Sequence, residues 1–312
     1  MFALMTVKEL YREYLQQLQL IYSANEAAVI TDWTFESVAG LQRADIIKNP
    51  EHTFTMEISG HLNDCLSALL RHKPVQYVLG EAWFYKMKLR VNEQVLIPRP
   101  ETEELVQLLI DNWQQVVAGQ QSAVSSHELS ERTQLTDTGR RLLMLDIGTG
   151  SGCIAIAVKK NLPEVMMYAI DVSPGALSVA KNNAISQQVD IQFLQIDFLD
   201  ENNWKGLPVF DTIISNPPYI PINEKDKLDK NVTAFEPHTA LFVPDNAPLL
   251  FYEKIAAFGK KHLSGNGKIY VEIHEDFAKE TREVFEQSYQ VEMKKDMYGK
   301  ERMLKAVILR KG

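Results

Sequence analysis

Residues 141–161, "RLLMLDIGTGSGCIAIAVKKN", constrain the fold of this chain more than any other stretch. An apolar run suited to a buried strand stops at Gly148, Gly150 and Gly152, and a helical pattern follows at once. Glycine takes positive φ without a Cβ clash, so the backbone can turn sharply there and a ligand can come close to it. Downstream, strand-like and helix-like segments alternate: "VMMYAID", "PGALSVAKNNAI", "VDIQFLQID", "FDTIISN", "APLLFYEKIAAFGKKHL", "GKIYVEIH", "EDFAKETREVFEQ", "QVEMKK" and "RMLKAVILR". This alternation predicts an α/β fold, with a mostly parallel sheet covered by helices on both faces and joined by right-handed crossovers. Ligands of such sheets bind outside the carboxyl ends of the strands, where the strand order reverses.

The chain ahead of this region is organised differently. From Val7 to about His72, apolar residues recur at helical spacing, first Leu10, Tyr14, Leu18 and Ile21, later Phe54, Ile58, Leu62, Leu66, Leu69 and Leu70. The expectation is a small all-α domain over residues 1–72. Residues 73–92, "KPVQYVLGEAWFYKMKLRVN", set a glycine between β-prone runs and predict a connecting β-hairpin, leaving 93–312 for the α/β domain. Within that domain "IPRPETEELVQLLIDNW" opens a helix with Pro100 near its first position and carboxylates at its amino end, where the helix dipole favours them. Residues 119–140 are polar and rich in Ser, Thr and Gln, the composition of a surface insertion loop.

Charge and composition exclude several classes of function. The formal net charge of the 312 residues is −8 and the amino-terminal bundle is itself acidic, which argues against a broad nucleic-acid footprint, since phosphate contacts need Lys or Arg. Cys65 and Cys153 are far apart and lack metal-ligand spacing, so neither a disulfide framework nor a metal site is expected. No apolar window approaches the roughly 18 residues of a membrane span. These features together predict a cytoplasmic protein with no membrane attachment.

Four motifs fall at predicted strand ends. In "LDIGTGSG" the dinucleotide fingerprint would need glycine at 153, where Cys153 stands, so a nucleotide-like cofactor other than NAD is expected. Asp171 ends the next strand about 20 residues further on, where a carboxylate can accept from both ribose hydroxyls. Its alternative role is to cap the helix that follows, which Ser173 can do instead. Asp197 can accept from an adenine amino group and Phe198 can lie along the ring, or the pair can be a solvated acid beside a core aromatic. The fourth motif, "SNPPYIP", ends a buried strand at Asn216, because Pro217 and Pro218 cannot join a ladder.

That last motif carries the chemistry. The nitrogen of a planar amide or aromatic amine is a poor nucleophile because its lone pair is delocalised. Two acceptors, the Asn216 side-chain oxygen and the Pro217 carbonyl, can each take one hydrogen of such an NH₂ group and favour a pyramidal nitrogen aimed at an electrophile. Pro218 stiffens the turn, and Tyr219 can pack on the flat face of the substrate. The alkylated nitrogen is acidic enough to lose its proton without a strong base, so His238, His274 and Glu101 are assigned no catalytic role. Arg99 either anchors substrate, braces this loop or forms an ion pair at the surface.

"LDIGTGSGCIAIA" with Asp171 and "SNPPYIP" resembles S-adenosylmethionine-dependent methyltransferases that act on amino groups of planar systems. With "PVQYVLGEAWF", "LIPRPETEELV", "FEPHTALF" and "YVEIH" in the same order, the closer resemblance is to the HemK or PrmC family, which methylates the glutamine of the Gly-Gly-Gln motif in peptide chain release factors. The resemblance implies a Rossmann-like class I methyltransferase sheet whose last strand is antiparallel. It also implies a cofactor site of Gly148, Thr149, Gly150, Ser151, Gly152, Asp171, Asp197, Phe198 and Asn216, a glutamine amide held by Asn216 to Tyr219, and a protein substrate recognised with the helical domain. This chain departs from the family in carrying His274 where glycine often follows "YVEI", and in the length of its 119–140 segment.

Two other readings differ on physical grounds. A DNA or RNA amino-methyltransferase would share the Asn-Pro-Pro-Tyr chemistry but would need a basic surface and, for a duplex, a way to extract a base. A cofactor-binding scaffold would keep the glycine turn and have no use for Asn216.

Overall fold

The computed structural model describes residues 5–121 and 141–309. Of the predicted insertion, residues 122–140 lie outside the described residues, whereas 119–121 end a helix. The chain divides into two compact units, one running up to Glu81 and including Asp229–Phe235, the other formed by Ala82–Leu228 and the chain from Glu236 onward.

The first unit is helical: α1 (Val7–Leu18), α2 (Ala24–Ala39), α3 (Arg43–Lys48), α4 (Met56–Leu69) and α5 (Val75–Leu79). Thr6 and Glu9 form a capping box at the start of α1, and Ser23 and Thr55 cap α2 and α4 through their hydroxyls, satisfying amide hydrogens that have no partner inside a helix. Tyr14, Leu18, Phe35, Leu62 and Leu69 form the fully buried centre. The Tyr11 and Tyr14 rings meet Phe35 edge-on at 5.3 and 5.2 Å, an arrangement the ring quadrupoles favour. Residues 75–79, expected to enter a hairpin, are instead the helix α5; Gly80, at φ +71°, caps it in the left-handed region and is not a hairpin turn.

The hairpin itself is shorter, β1 (Glu81–Phe84) and β2 (Met87–Arg90). Its two-residue turn is Tyr85 and Lys86, both at positive φ (47° and 63°). Twisted strands require that geometry at a two-residue turn, which Asn-Gly usually supplies and which these residues do not advertise.

The second unit continues with α6 (Pro100–Gln121), β3 (Leu143–Ile147), α7 (Cys153–Asn161), β4 (Met166–Asp171), α8 (Pro174–Ser186), β5 (Gln192–Gln195), β6 (Phe210–Ser215) and β7 (Ile220–Pro221). After α9 (Lys230–Phe235), which belongs to the first unit, come α10 (His238–Leu241), β8 (Phe242–Val243), α11 (Leu250–His262), β9 (Leu263–Glu272), α12 (Ala278–Glu286), β10 (Tyr289–Lys295) and β11 (Glu301–Ile308). The seven-stranded sheet has the order β10-β11-β9-β6-β3-β4-β5. Neighbours from β9 to β5 are parallel and β11 is antiparallel to both of its neighbours, the class I methyltransferase arrangement. Alternate side chains divide between two cores. Met144, Ile214 and Tyr270 pack with Leu105, Val106 and Ile154 from α6 and α7, while Leu145, Ile213 and Ile269 pack with Ile255, Phe258 and Phe285 from α11 and α12. Each such side chain contributes about 1.5–3 kcal/mol by leaving water, and a one-residue slip in register would send each row into the core packed for the other. Among the described residues no helix is long and apolar enough to cross a membrane.

One buried amide joins the hairpin to the glycine turn. Asn183 on α8 has no exposed surface; it accepts from the Arg90 backbone N–H (2.7 Å) and donates to the carbonyls of Arg90 and Ser151 (both 2.9 Å). Asn183→Ala is expected to lower unfolding free energy by about 1–3 kcal/mol by stranding these groups. Urea denaturation followed by circular dichroism reads this directly, and an unchanged midpoint would show that the link carries no stability.

Candidate functional site

The chain proceeds from β3 to β4 and β5 on one side and returns through β6 on the other, so the strand order reverses between β3 and β6. Asp146 lies opposite Ile214 in that pair. Gly148 and Asn216, each two residues further on, therefore leave the sheet side by side, and the Ser215 hydroxyl donates to the Ile147 carbonyl at 2.7 Å to hold the two strand ends together. This is the crevice where open α/β sheets bind ligands.

Gly148, Gly150 and Gly152 all have positive φ, 73°, 54° and 81°. The Gly148 and Thr149 amides donate to the Ile170 carbonyl at 2.9 and 3.0 Å, and the Gly150 amide to Asp171 Oδ2 at 2.9 Å. At Gly152 a Cβ would come within 3.1 Å of the Ala180 Cβ and the Ile156 Cδ1, so this glycine also lets α7 and α8 approach. Asp171 accepts the Ser173 amide on Oδ1 at 2.9 Å, while the Ser173 hydroxyl caps α8. Capping therefore does not occupy Asp171. Burial raises its pKa, and the amides of Ser173 and Gly150 work in the opposite direction.

A cavity of about 370 Å³ opens beside this turn. Its wall brings together Gly148, Gly150, Asp171, Asp197, Phe198, Asn216, Pro217 and Pro218, with Val172, Ile196, Leu199 and Phe242 adding apolar surface. Thr149, Ser151, Gly152, Tyr219 and Arg99 are not part of the wall. Thr149 and Ser151 are buried behind it. Phe198 is 5% exposed and stacks on Trp204 at 5.5 Å, so one ring serves both the core and the cavity. Asp197 is exposed and accepts the Leu199 amide at 3.0 Å.

At the far end of the wall, Asn216 Nδ2 donates to Thr102 Oγ1 at 2.9 Å, which leaves Oδ1 as the atom of the amide able to accept. Thr102 Oγ1 donates to Glu272 Oε2 at 2.7 Å, and the Tyr219 hydroxyl donates to Glu272 Oε1 at 3.1 Å. A glycine cradle, an acid at the second strand end, an apolar wall and an amide at its limit suit a nucleoside carrying a small charged tail.

Residues 9–80 match the family profile described as PrmC N-terminal domain, and residues 125–234 that of the Methyltransferase small domain. The release factor glutamine methyltransferase of Flavobacterium psychrophilum is 39% identical over 96% of this chain and 99% of its own length. Those of Bacteroides thetaiotaomicron and Streptococcus pneumoniae are 35% and 36% identical, over 93% and 92% of this chain and 96% and 93% of theirs. The chain belongs to the release factor glutamine methyltransferase family. It is an enzyme, a methyltransferase.

Within this family member the remaining polar residues take structural positions. Arg99 pairs with the buried Glu236 at 2.5 Å, and Glu236 also accepts the Ile97 amide at 3.2 Å, which fastens the segment before α6 to the "FEPHTALF" stretch beside the cavity. His238 meets Phe242 edge-on at 5.3 Å. His274 Nδ1 accepts the Asp276 amide at 3.1 Å, so its proton resides on Nε2, 3.7 Å from Glu224. Glu224, His274 and Asp276 are close enough to suggest a metal site, but a protonated Nε2 has no lone pair to offer one. Sequence reasoning passed over Thr102 and Glu272. The signal was present in "RPETEE" and "YVEIH", two polar motifs flanking apolar elements.

Asp146 is the other group the motif conceals. It is fully buried, its Oδ2 accepts the Thr149 hydroxyl at 2.6 Å, and burial pushes its pKa from 3.8 up to about 7. Because the folded-state value is raised, proton binding stabilises the fold fully below pH 3.8, and that stabilisation is lost as pH rises toward about 7. Asp146→Asn should therefore be more stable than wild type by about 2–4 kcal/mol at pH 8, with the gain vanishing near pH 4. Urea midpoints across that range provide the test, and a difference independent of pH would contradict the assignment.

Proposed function

We propose that this enzyme transfers the methyl group of S-adenosylmethionine to the side-chain amide nitrogen, N5, of the glutamine in the Gly-Gly-Gln motif of peptide chain release factors. The observation that carries this reading is the polarity of Asn216: its N–H is committed to Thr102, so its oxygen is available at the end of the cavity beside Pro217. Bound in the cavity, S-adenosylmethionine would supply a methyl group activated by a sulfonium centre.

The chain's own residues do the rest by holding groups in place. Gly148 to Gly152, with Thr149 and Ser151 shaping the turn from behind, admit the tail of the cofactor against bare backbone. Asp171 retains lone pairs on both oxygens for the ribose hydroxyls after accepting its two amides. Asp197 and Phe198 border the space for the adenine. Asn216 Oδ1 and the Pro217 carbonyl each accept one hydrogen of the glutamine NH₂, which directs the nitrogen lone pair along the remaining axis toward the methyl group. Pro218 limits the motion of these acceptors. The apolar wall excludes water that would compete for the same hydrogens.

Specificity follows from the same atoms. A glutamate carboxylate brings no hydrogen to two acceptors, and sites built on such paired bonds discriminate by roughly 10⁴-fold. An asparagine amide is one methylene too short to reach. The residues before 73 serve in this proposal as the substrate-recognition domain, the hairpin within 73–92 as connector, and 93–312 as the methyltransferase domain acting in the cytoplasm. The net charge of −8 weighs against DNA or RNA as substrate.

Incubation of the enzyme with methyl-labelled S-adenosylmethionine and a recombinant release factor should label the wild-type factor and leave its Gly-Gly-Glu form unlabelled. Asn216→Ala should lower kcat by about 100-fold or more while cofactor affinity changes little. Label on nucleic acid in place of the release factor, or an Asn216→Ala enzyme with undiminished kcat, would refute the proposal.

A further inference from the structure

Glu272 and Thr102 do not line the cavity, yet among the described residues the side-chain hydrogen bonds of Asn216 and Tyr219 run to them. Glu272 ends β9 and is 2% exposed; Thr102 lies in the first turn of α6 and is also 2% exposed. Two hydroxyls, those of Thr102 and Tyr219, donate to the two oxygens of this one carboxylate. A hydroxyl has a single hydrogen. Once Thr102 has given its hydrogen to Glu272, only lone pairs remain to face Asn216, and these can bind Nδ2 but not Oδ1.

We propose that Thr102 and Glu272 are positioning residues that determine which atom of the Asn216 amide meets the substrate. The proposal rests on the reading of Asn216 Oδ1 as the acceptor of the substrate NH₂ group. A carboxylate at 272 accepts at both oxygens, and this fixes the direction of every hydrogen bond in the chain Glu272, Thr102, Asn216. With an amide in its place, one of the two contacts becomes a donor. Thr102 can then turn its hydrogen toward Asn216, and the Asn216 amide can rotate to present Nδ2, a donor, to a substrate group that also only donates. Tyr219 shares the constraint: its hydrogen is committed to Glu272, so the ring is held by its hydroxyl at one end and by the edge-on contact with His274 at 5.8 Å.

The experiment compares the full-length wild type with Thr102→Val, Thr102→Ser and Glu272→Gln, each of which nearly preserves side-chain volume. Four quantities are measured: kcat, KM for the release factor, Kd for S-adenosylmethionine, and the side-chain amide resonances of ¹⁵N-labelled Asn216, assigned with Asn216→Asp. Thr102→Val and Glu272→Gln should lose about 100-fold in kcat with KM and Kd within about threefold of wild type, while Thr102→Ser stays within about fivefold throughout. The Asn216 resonances should move in Thr102→Val and return in Thr102→Ser. Near wild-type kcat in Thr102→Val, a Thr102→Ser enzyme as impaired as Thr102→Val, or Asn216 resonances indifferent to both changes would overturn the positioning role. A wild-type enzyme that leaves the release factor unlabelled would contradict the proposed substrate instead, and the resonances would then decide the positioning role without turnover.

Discussion

A carboxylate only accepts hydrogen bonds, and the hydrogen-bond chain behind Asn216 depends on that property at Glu272. Its two oxygens take the hydroxyl hydrogens of Thr102 and Tyr219, and Thr102 in turn takes an N–H of Asn216. Burial opposes the charge and raises the pKa of Glu272, while the two hydroxyls and Arg302 act in the other direction. The fold therefore keeps a costly group at the end of its central parallel strands, and what it gains is direction in three side chains that would otherwise be free to rotate. In the proposed reaction that direction separates a pocket for an NH₂ group from a pocket for a carboxylate.

The sheet topology makes this arrangement possible. Reversal of strand order between β3 and β6 brings Gly148 and Asn216 to the same edge of the sheet. One loop supplies bare backbone and the other the Asn216 amide, and the Ser215 hydroxyl ties the strands that carry them. β9 is the next neighbour of β6, so its last residue, Glu272, lies just behind the Asn216 turn. Helix α6 brings Thr102 to the same place from outside the sheet. The Arg99–Glu236 pair closes the arrangement on the cavity side by fastening the segment that leads into α6.

Much of the fold was legible because its signals are local. Gly148, Gly150 and Gly152 between a strand and a helix announce a left-handed turn whatever surrounds them, and the alternating segments after residue 141 imply a parallel sheet. Local signals also misled at one point. Gly80 reads as a hairpin turn, but it caps the short helix α5, and the real turn uses Tyr85 and Lys86, whose positive φ no propensity scale anticipates. The residues that meet at the cavity, Gly148, Gly150, Asp171 and Asn216 to Pro218, were likewise visible as short strings. Thr102 and Glu272 were not, because their contact joins positions 170 residues apart and Thr102 meets Asn216 across 114. In the linear sequence Thr102 is one polar residue among helix-opening glutamates, and Glu272 is the odd charge at the end of an apolar strand. Asn183 is the same kind of case, an ordinary helical residue until Arg90 and Ser151 are folded against it.

The central claim concerns the orientation of one amide, and a complex would display it. A crystal structure of the enzyme with S-adenosylhomocysteine and a Gly-Gly-Gln peptide should show the glutamine nitrogen about 3 Å from both Asn216 Oδ1 and the Pro217 carbonyl, with Asn216 Nδ2 still on Thr102. A glutamine amide bound elsewhere in the cavity, or an Asn216 rotated so that Nδ2 faces the ligand, would contradict the account.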